Sequence, residues 1–187
     1  LRDDPAECRQ LIAAGAGARG TFTSCEQASF LESAVRADQH SGELVDLLLD
    51  AGFDAGSVYD ELGEHYWSTP LIKAARIGRL DLVRKLAAAG ADPHWKSPSG
   101  ANAASETLPS HSWQANRSDS TELGEVRTWL ADQGVKMDPA CRDSRRKLVW
   151  AASNPISWPD VPMLLNLGVD AAELNWTPFM RKLALEQ

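Results

Sequence analysis

A glycine that follows an apolar, helix-like segment recurs along this chain and constrains its fold more than any other feature. The intervals between successive copies are 37, 38, 44 and 34 residues. Each preceding segment places apolar side chains on one helix face, and a glycine just beyond suits the left-handed residue that ends many helices. The pattern predicts a repeated helical unit, in which the helix ahead of the glycine is the second helix of the unit. These second helices are expected at 7–13, 43–49, 82–86, 125–131 and 161–167. The glycines that follow them are Gly15, Gly52, Gly90, Gly134 and Gly168.

The clearest copy of the unit lies between residues 67 and 93. Thr69 can cap a helix N-terminus, and Pro70 suits the first helical position, where its missing N–H costs nothing. Ala74 and Ala75 are small enough to let two helices approach closely. First helices are therefore expected at 30–37, 70–76, 102–107 and 145–152, with a lone closing helix at 180–185.

Thr69-Pro70-Leu71, the alanine pair, Gly78 and the Gly-Ala-Asp sequence at 90–92 together resemble the ankyrin repeat, whose period is about 33 residues. The resemblance implies an all-α fold, a solenoid of stacked helix-turn-helix units with hairpin-like finger loops. It predicts one domain, with a half repeat at 1–20, repeats at about 21–58, 59–96, 97–140 and 141–173, and a closing half repeat at 174–187. Two departures lengthen the units: the finger at 53–67 and a polar insertion at 108–121.

By the resemblance, the chain binds another protein through its fingers and the exposed side of its first helices. The finger at 53–67 combines aromatic and acidic residues, and no Lys or Arg occurs between His40 and Ile72. Aromatic anchors in an acidic field suit a protein partner with a basic surface. The same rings could instead seal fingers of irregular length. The candidate partner-binding residues are Tyr59, Asp60, Glu61, Glu64, His65, Tyr66, Trp67, His94, Trp95 and Trp113.

Tests for other chemistry are negative. The net charge of −7 disfavours a general nucleic-acid binder, and no apolar run is long enough to span a bilayer. No phosphate-binding loop, zinc motif or calcium loop is present, so no catalytic, cofactor or metal residue is expected. The three cysteines fit no disulfide framework, although a single bridge between Cys8 and Cys25 stays open.

The leading hypothesis is a non-catalytic interaction protein, monomeric when free, that binds one main protein partner. Its most concrete form is an immunity-type inhibitor that neutralises a bacterial effector or toxin. Two alternatives stay open: a recognition domain cut from a larger effector or signalling protein, and a scaffold that bridges two partners. The compartment is not determined; the cytoplasm is slightly favoured, and the periplasm is possible if a signal peptide was removed.

Overall fold

The structure, a computed structural model, describes residues 4–16, 22–37, 39–60, 67–107 and 121–137. This part of the chain is mostly helical, as expected for an all-α fold. Its elements are α1 (Pro5–Ala13), α2 (Ser24–Arg36), α3 (Ser41–Asp50), β1 (Tyr59–Asp60), β2 (Trp67–Ser68), α4 (Pro70–Arg76), α5 (Leu80–Ala88), α6 (Ala103–Glu106) and α7 (Thr121–Asp132). The helices predicted at 145–152, 161–167 and 180–185, Gly168, and residues 108–120 of the insertion lie outside it.

The helices pack in two rows. In one row α2 contacts α4, and α4 contacts α6; in the other, α1, α3, α5 and α7 contact one another in that order. The pairs α2–α3, α4–α5 and α6–α7 join the rows. Fully buried Leu31, Leu71, Leu82, Leu86 and Val126 fill the space between them. Each such side chain contributes about 1.5–3 kcal/mol through its burial, so neighbouring helix pairs share a continuous core.

The predicted glycine exits are confirmed where the structure describes them. Gly15, Gly52, Gly90 and Gly134 all have a left-handed backbone, with φ between 73° and 102°. At the third exit, the N–H of Gly90 donates to the carbonyl of Ala87, and the next N–H donates to the carbonyl of Leu86, both at 3.0 Å. The other three exits repeat this pair of hydrogen bonds. The exits therefore satisfy the last carbonyl groups of α1, α3, α5 and α7 in the same way.

The first helices begin at side-chain caps. Thr69 caps α4 as predicted, its hydroxyl accepting a hydrogen bond from the N–H of Ile72 at 3.3 Å. The prediction of a first helix at 30–37 is corrected, since α2 already begins at Ser24. The cause is a reciprocal cap, in which Thr23 accepts from the N–H of Glu26 and the Glu26 carboxylate accepts from the N–H of Thr23. This cap adds six mostly polar residues to the predicted helix.

The cysteines at the N-terminal end are not bridged. Cys8 is buried in the core, and Cys25 is exposed on α2; both are free thiols. Burial raises the pKa of the Cys8 thiol above its ordinary value of 9.0. The open possibility of a Cys8–Cys25 disulfide is therefore not realised in this structure.

Candidate partner-binding finger

The finger between α3 and α4 is a short β-hairpin at its base. Strand β1 pairs antiparallel with β2, so that Tyr59 lies opposite Ser68 and Asp60 lies opposite Trp67. Thr69 directly follows β2 and is also the N-cap of α4. Because the strand leads into the helix without an intervening loop, the core helices fix the direction of the hairpin. The base of the finger is therefore continuous with the helical core through Thr69.

The two faces of this hairpin differ in exposure. Opposite residues in an antiparallel pair share a face, and successive residues alternate between faces. Tyr59 and Ser68 form the buried face, and Asp60 and Trp67 form the outer face. Tyr59 is only 4% exposed, whereas Trp67 is 38% exposed. Of the two aromatic residues expected to contact a partner here, Tyr59 is buried and Trp67 is the one whose ring reaches solvent.

Large exposed apolar side chains are rare in the described ranges. Trp67 and Leu11 are the two such side chains in these ranges, and Leu11, on α1, is 49% exposed. A tryptophan buries more apolar area than any other side chain when a partner covers it, and it loses little conformational entropy when its strand already holds it. Trp67 therefore has the properties of a binding anchor, and Leu11 offers a matched exposed residue elsewhere on the molecule.

Aspartates lie beside this finger at two neighbouring exits. Asp54 precedes β1; its Oδ1 accepts from the N–H of Gly56 at 2.9 Å. Asp92 occupies the equivalent place after Gly90, and its Oδ1 accepts from the N–H of His94 at 2.8 Å. A Cβ atom at Gly56 would lie 3.9 Å from the carbonyl oxygen of Gly90, so the two exits are adjacent. Both aspartates are exposed, so the two adjacent exits each present a carboxylate to solvent.

The next finger is tighter. Lys96 and Asn102 form an isolated antiparallel bridge, and the N–H of Ser97 donates to the carbonyl of Ala101 at 2.8 Å. His94 is exposed, while Trp95 is half-buried and packs against the core. The Trp95 ring therefore packs against the core with one part and stays accessible to a partner with the other.

Ion pairs between neighbouring helices change the charge pattern inferred from sequence. The Lys85 ammonium lies 2.6 Å from Asp46, and Arg9 pairs with Glu43. These two carboxylates belong to the segment without Lys or Arg, yet cations from other helices neutralise them. Part of the acidity of that segment is therefore neutralised within the stack of helices.

The first helices carry a second set of pairs. Lys73 on α4 lies 3.0 Å from Glu32 on α2, with both side chains largely buried. Arg76 lies 3.8 Å from Glu106 on α6. At the start of α5, the Arg79 guanidinium donates to Asp81 and holds the pKa of that carboxyl below its ordinary value of 3.8. Most of the cations in the described segments thus serve to join elements of the fold.

Several predicted residues are not placed: Glu61, Glu64, His65, Tyr66 and Trp113 lie outside the described residues. Among the residues that are described, the structure brings Asp60 and Trp67 together on one face and places His94 and Trp95 at the next finger. The candidate residues did not include Asp54, one of the acids of the finger at 53–67, or Asp92, although the structure places both at adjacent exits. The sequence marks both positions, because each aspartate stands two residues after the glycine of an exit.

Other kinds of site were sought in the same ranges. No group of three or more His, Cys, Asp or Glu side chains in the described part of the chain is placed to hold a metal ion. None of the helices described there combines the length and apolar character needed to cross a membrane. Comparison of the sequence with protein-family models and with curated proteins gives no match.

Proposed function

We propose that this chain is a non-catalytic binding module of the ankyrin type, and that it binds one main protein partner through the finger that carries Trp67. The observation that carries the proposal is the exposed indole on a strand that leads straight into a core helix. A large apolar ring on a fixed backbone loses little conformational freedom on binding. Such rings dominate the energetics of many protein interfaces.

The two rows of helices support the ankyrin-type solenoid. A solenoid packs each unit only against its neighbours, which is the order of contacts along α2–α4–α6 and along α1–α3–α5–α7. A glycine exit ends each of the described helices α1, α3, α5 and α7, and paired backbone at 59–68 and at 96–102 follows the exits at Gly52 and Gly90. The irregular lengths of these fingers suit a module adapted to a single partner.

Within this function we favour an immunity-type inhibitor that neutralises a bacterial effector or toxin. An acidic finger with an aromatic anchor suits the masking of a basic functional surface, such as the substrate site of an enzyme that acts on an anionic polymer. The inhibitor hypothesis adds a measurable consequence to binding: the purified chain must abolish the activity of its partner at stoichiometric amounts.

The test uses the full chain and two variants as immobilised baits in extracts of its source. Trp67→Ala removes the proposed anchor, and Leu11→Ala removes the other exposed apolar residue as a matched control. We expect wild type and Leu11→Ala to retain the same single partner, and Trp67→Ala to bind it at least about tenfold more weakly. Circular dichroism checks that both variants are folded.

The affinity is then measured by calorimetry with the purified partner. Equal affinities for wild type and Trp67→Ala would reject the finger as the binding site. A partner that binds in full but keeps its activity would reject the inhibitor role while leaving the binding role intact.

A further inference from the structure

We infer that Gln27, on α2, is a positioning residue for the binding finger: its side chain anchors the incoming arm of the finger, residues 53–60, and thereby sets the position of Trp67. Gln27 acts on the proposed binding finger from outside the hairpin, so this role rests on the proposed function. It concerns how the indole is presented and makes no claim about which group the indole binds.

The Gln27 side-chain amide joins two segments of the chain. Its Oε1 accepts from the N–H of Asp54, and its Nε2 donates to the carbonyl of Phe22, both at 3.1 Å. Asp54 lies two residues after the glycine that ends α3, at the start of the arm. The half-buried amide therefore fastens the start of the arm both to α2 and to the segment that precedes α2.

An aromatic cluster supports the same anchor. The ring centroids of Phe22 and Phe30 are 5.0 Å apart, and each lies 5.9 Å from that of Phe53. These separations are those of favourable aromatic pairs. Gln27 and Phe30 are three positions apart on α2 and so share a face of the helix. This face holds two consecutive residues of the arm, Phe53 through the rings and Asp54 through its N–H.

The anchoring continues along the arm to the hairpin. Phe53, Ala55, Ser57 and Tyr59 are buried, and the residues between them are half-buried or exposed. Such alternation is typical of an extended segment with one face on the core. At the end of the arm, β1 contacts α2. The buried face therefore connects the Gln27 contact to β1.

The outgoing arm is anchored to a different helix. Strand β2 continues into Thr69, the N-cap of α4, and the pairing of Asp60 with Trp67 joins the two arms. Trp67 therefore takes its position from α2 through β1 and from α4 through Thr69. A site is presented accurately only when the residues behind it are themselves held. Weakening the α2 anchor should thus loosen β1 and, through the pairing, change the presentation of Trp67.

The first measurement uses the whole free chain labelled with fluorotryptophan. Fluorine NMR reports the environment of each of the seven indoles, and the Trp67 signal is identified by its absence from Trp67→Phe. Gln27→Met keeps a long, helix-compatible side chain but removes both hydrogen bonds. We expect it to shift and broaden the Trp67 signal. Gln10→Met, at an exposed position on α1, is the matched control and should leave that signal unchanged.

Gln27→Glu separates the hydrogen bond to the arm from general packing. A carboxylate can still accept from the N–H of Asp54, although it cannot donate to the carbonyl of Phe22. Its Trp67 signal should lie closer to that of wild type than the signal of Gln27→Met does. Equal displacement in the two variants would show that the Asp54 contact does not position the finger, and would overturn the inference. Circular dichroism checks that each variant is folded.

The second measurement is the affinity for the partner that the wild-type bait retains. We expect Gln27→Met to bind it about three- to tenfold more weakly, the range that corresponds to the net contribution of one hydrogen bond. Gln10→Met should bind it as wild type does.

The outcomes distinguish the two proposals. An unchanged Trp67 signal in Gln27→Met would overturn the positioning role while leaving the finger as a binding site. A displaced Trp67 signal with an unchanged partner affinity would instead count against the finger as the binding site.

Discussion

Alanine at two glycines should change stability in opposite directions. Gly90 has φ +102° and Gly124 lies inside α7, and at both positions an added Cβ would meet no atom within 4 Å. The two substitutions therefore differ in backbone conformation and not in steric crowding. A left-handed backbone costs an L-residue about 1–2 kcal/mol. About 0.4–1 kcal/mol of that cost is offset because alanine restricts the unfolded chain.

Gly90→Ala should therefore lose about 1 kcal/mol of unfolding free energy, whereas Gly124→Ala should gain about 0.5–1 kcal/mol. The assay is urea unfolding followed by circular dichroism, with the midpoint and the slope fitted for each variant. Gly90→Asn is a useful third variant, because asparagine tolerates the left-handed region better than alanine. The expected order of stability is Gly124→Ala, wild type, Gly90→Asn and Gly90→Ala. A Gly90→Ala protein as stable as wild type would refute the role assigned to this exit.

Three further outcomes follow from the described contacts. Lys73→Met should lose about 1.5–3 kcal/mol in urea unfolding, because the largely buried Glu32 carboxylate loses its 3.0 Å partner and retains the longer contact with Arg36 at 3.4 Å; full stability would contradict this role of the ion pair. The carboxyl of Asp81 has a lowered pKa in the folded state, so its contribution to stability is present above pH 3.8 and is lost as pH falls through the folded pKa. In the Arg79→Gln variant, an NMR titration should move this pKa upward, and an unchanged value would refute the assignment. Leu86→Ala, at a fully buried position, should lose about 2–5 kcal/mol; a loss below about 0.5 kcal/mol, typical of a surface position, would show that this core contact is absent.

The ends of the helices could be predicted from sequence because local rules determine them. A glycine after an apolar helix, as at Gly90, and a threonine before a proline, as at Thr69, each need only a few neighbouring residues to act. The early start of α2 followed the same kind of rule. Its Thr23-x-x-Glu26 cap is visible in the sequence, but the prediction relied on apolar spacing and placed the start at 30.

The faces of the finger could not be predicted, because they depend on the pairing of β1 with β2. Tyr59 and Trp67 are both aromatic and both flank the same finger, so composition gives them equal weight. A shift of one residue in the pairing would exchange their environments. The structure pairs Asp60 with Trp67, which buries the tyrosine and exposes the tryptophan.

The ion pairs between helices could not be predicted from the sequence either. Lys73 and Glu32 are 41 positions apart, and Lys85 and Asp46 are 39 positions apart. Only the packing of α2 on α4 and of α3 on α5 brings these charges together. The consequence for function is specific: part of the acidity in the segment without Lys or Arg, at Glu43 and Asp46, stabilises the stack of helices.

The most direct test of the account is hydrogen–deuterium exchange of the free chain and of the chain saturated with its purified partner. The account predicts slower exchange across residues 59–68, which contain β1 and β2, and unchanged exchange across α1, which carries Leu11. Slower exchange confined to α1, α3, α5 or α7, with residues 59–68 unchanged, would contradict the finger as the binding site.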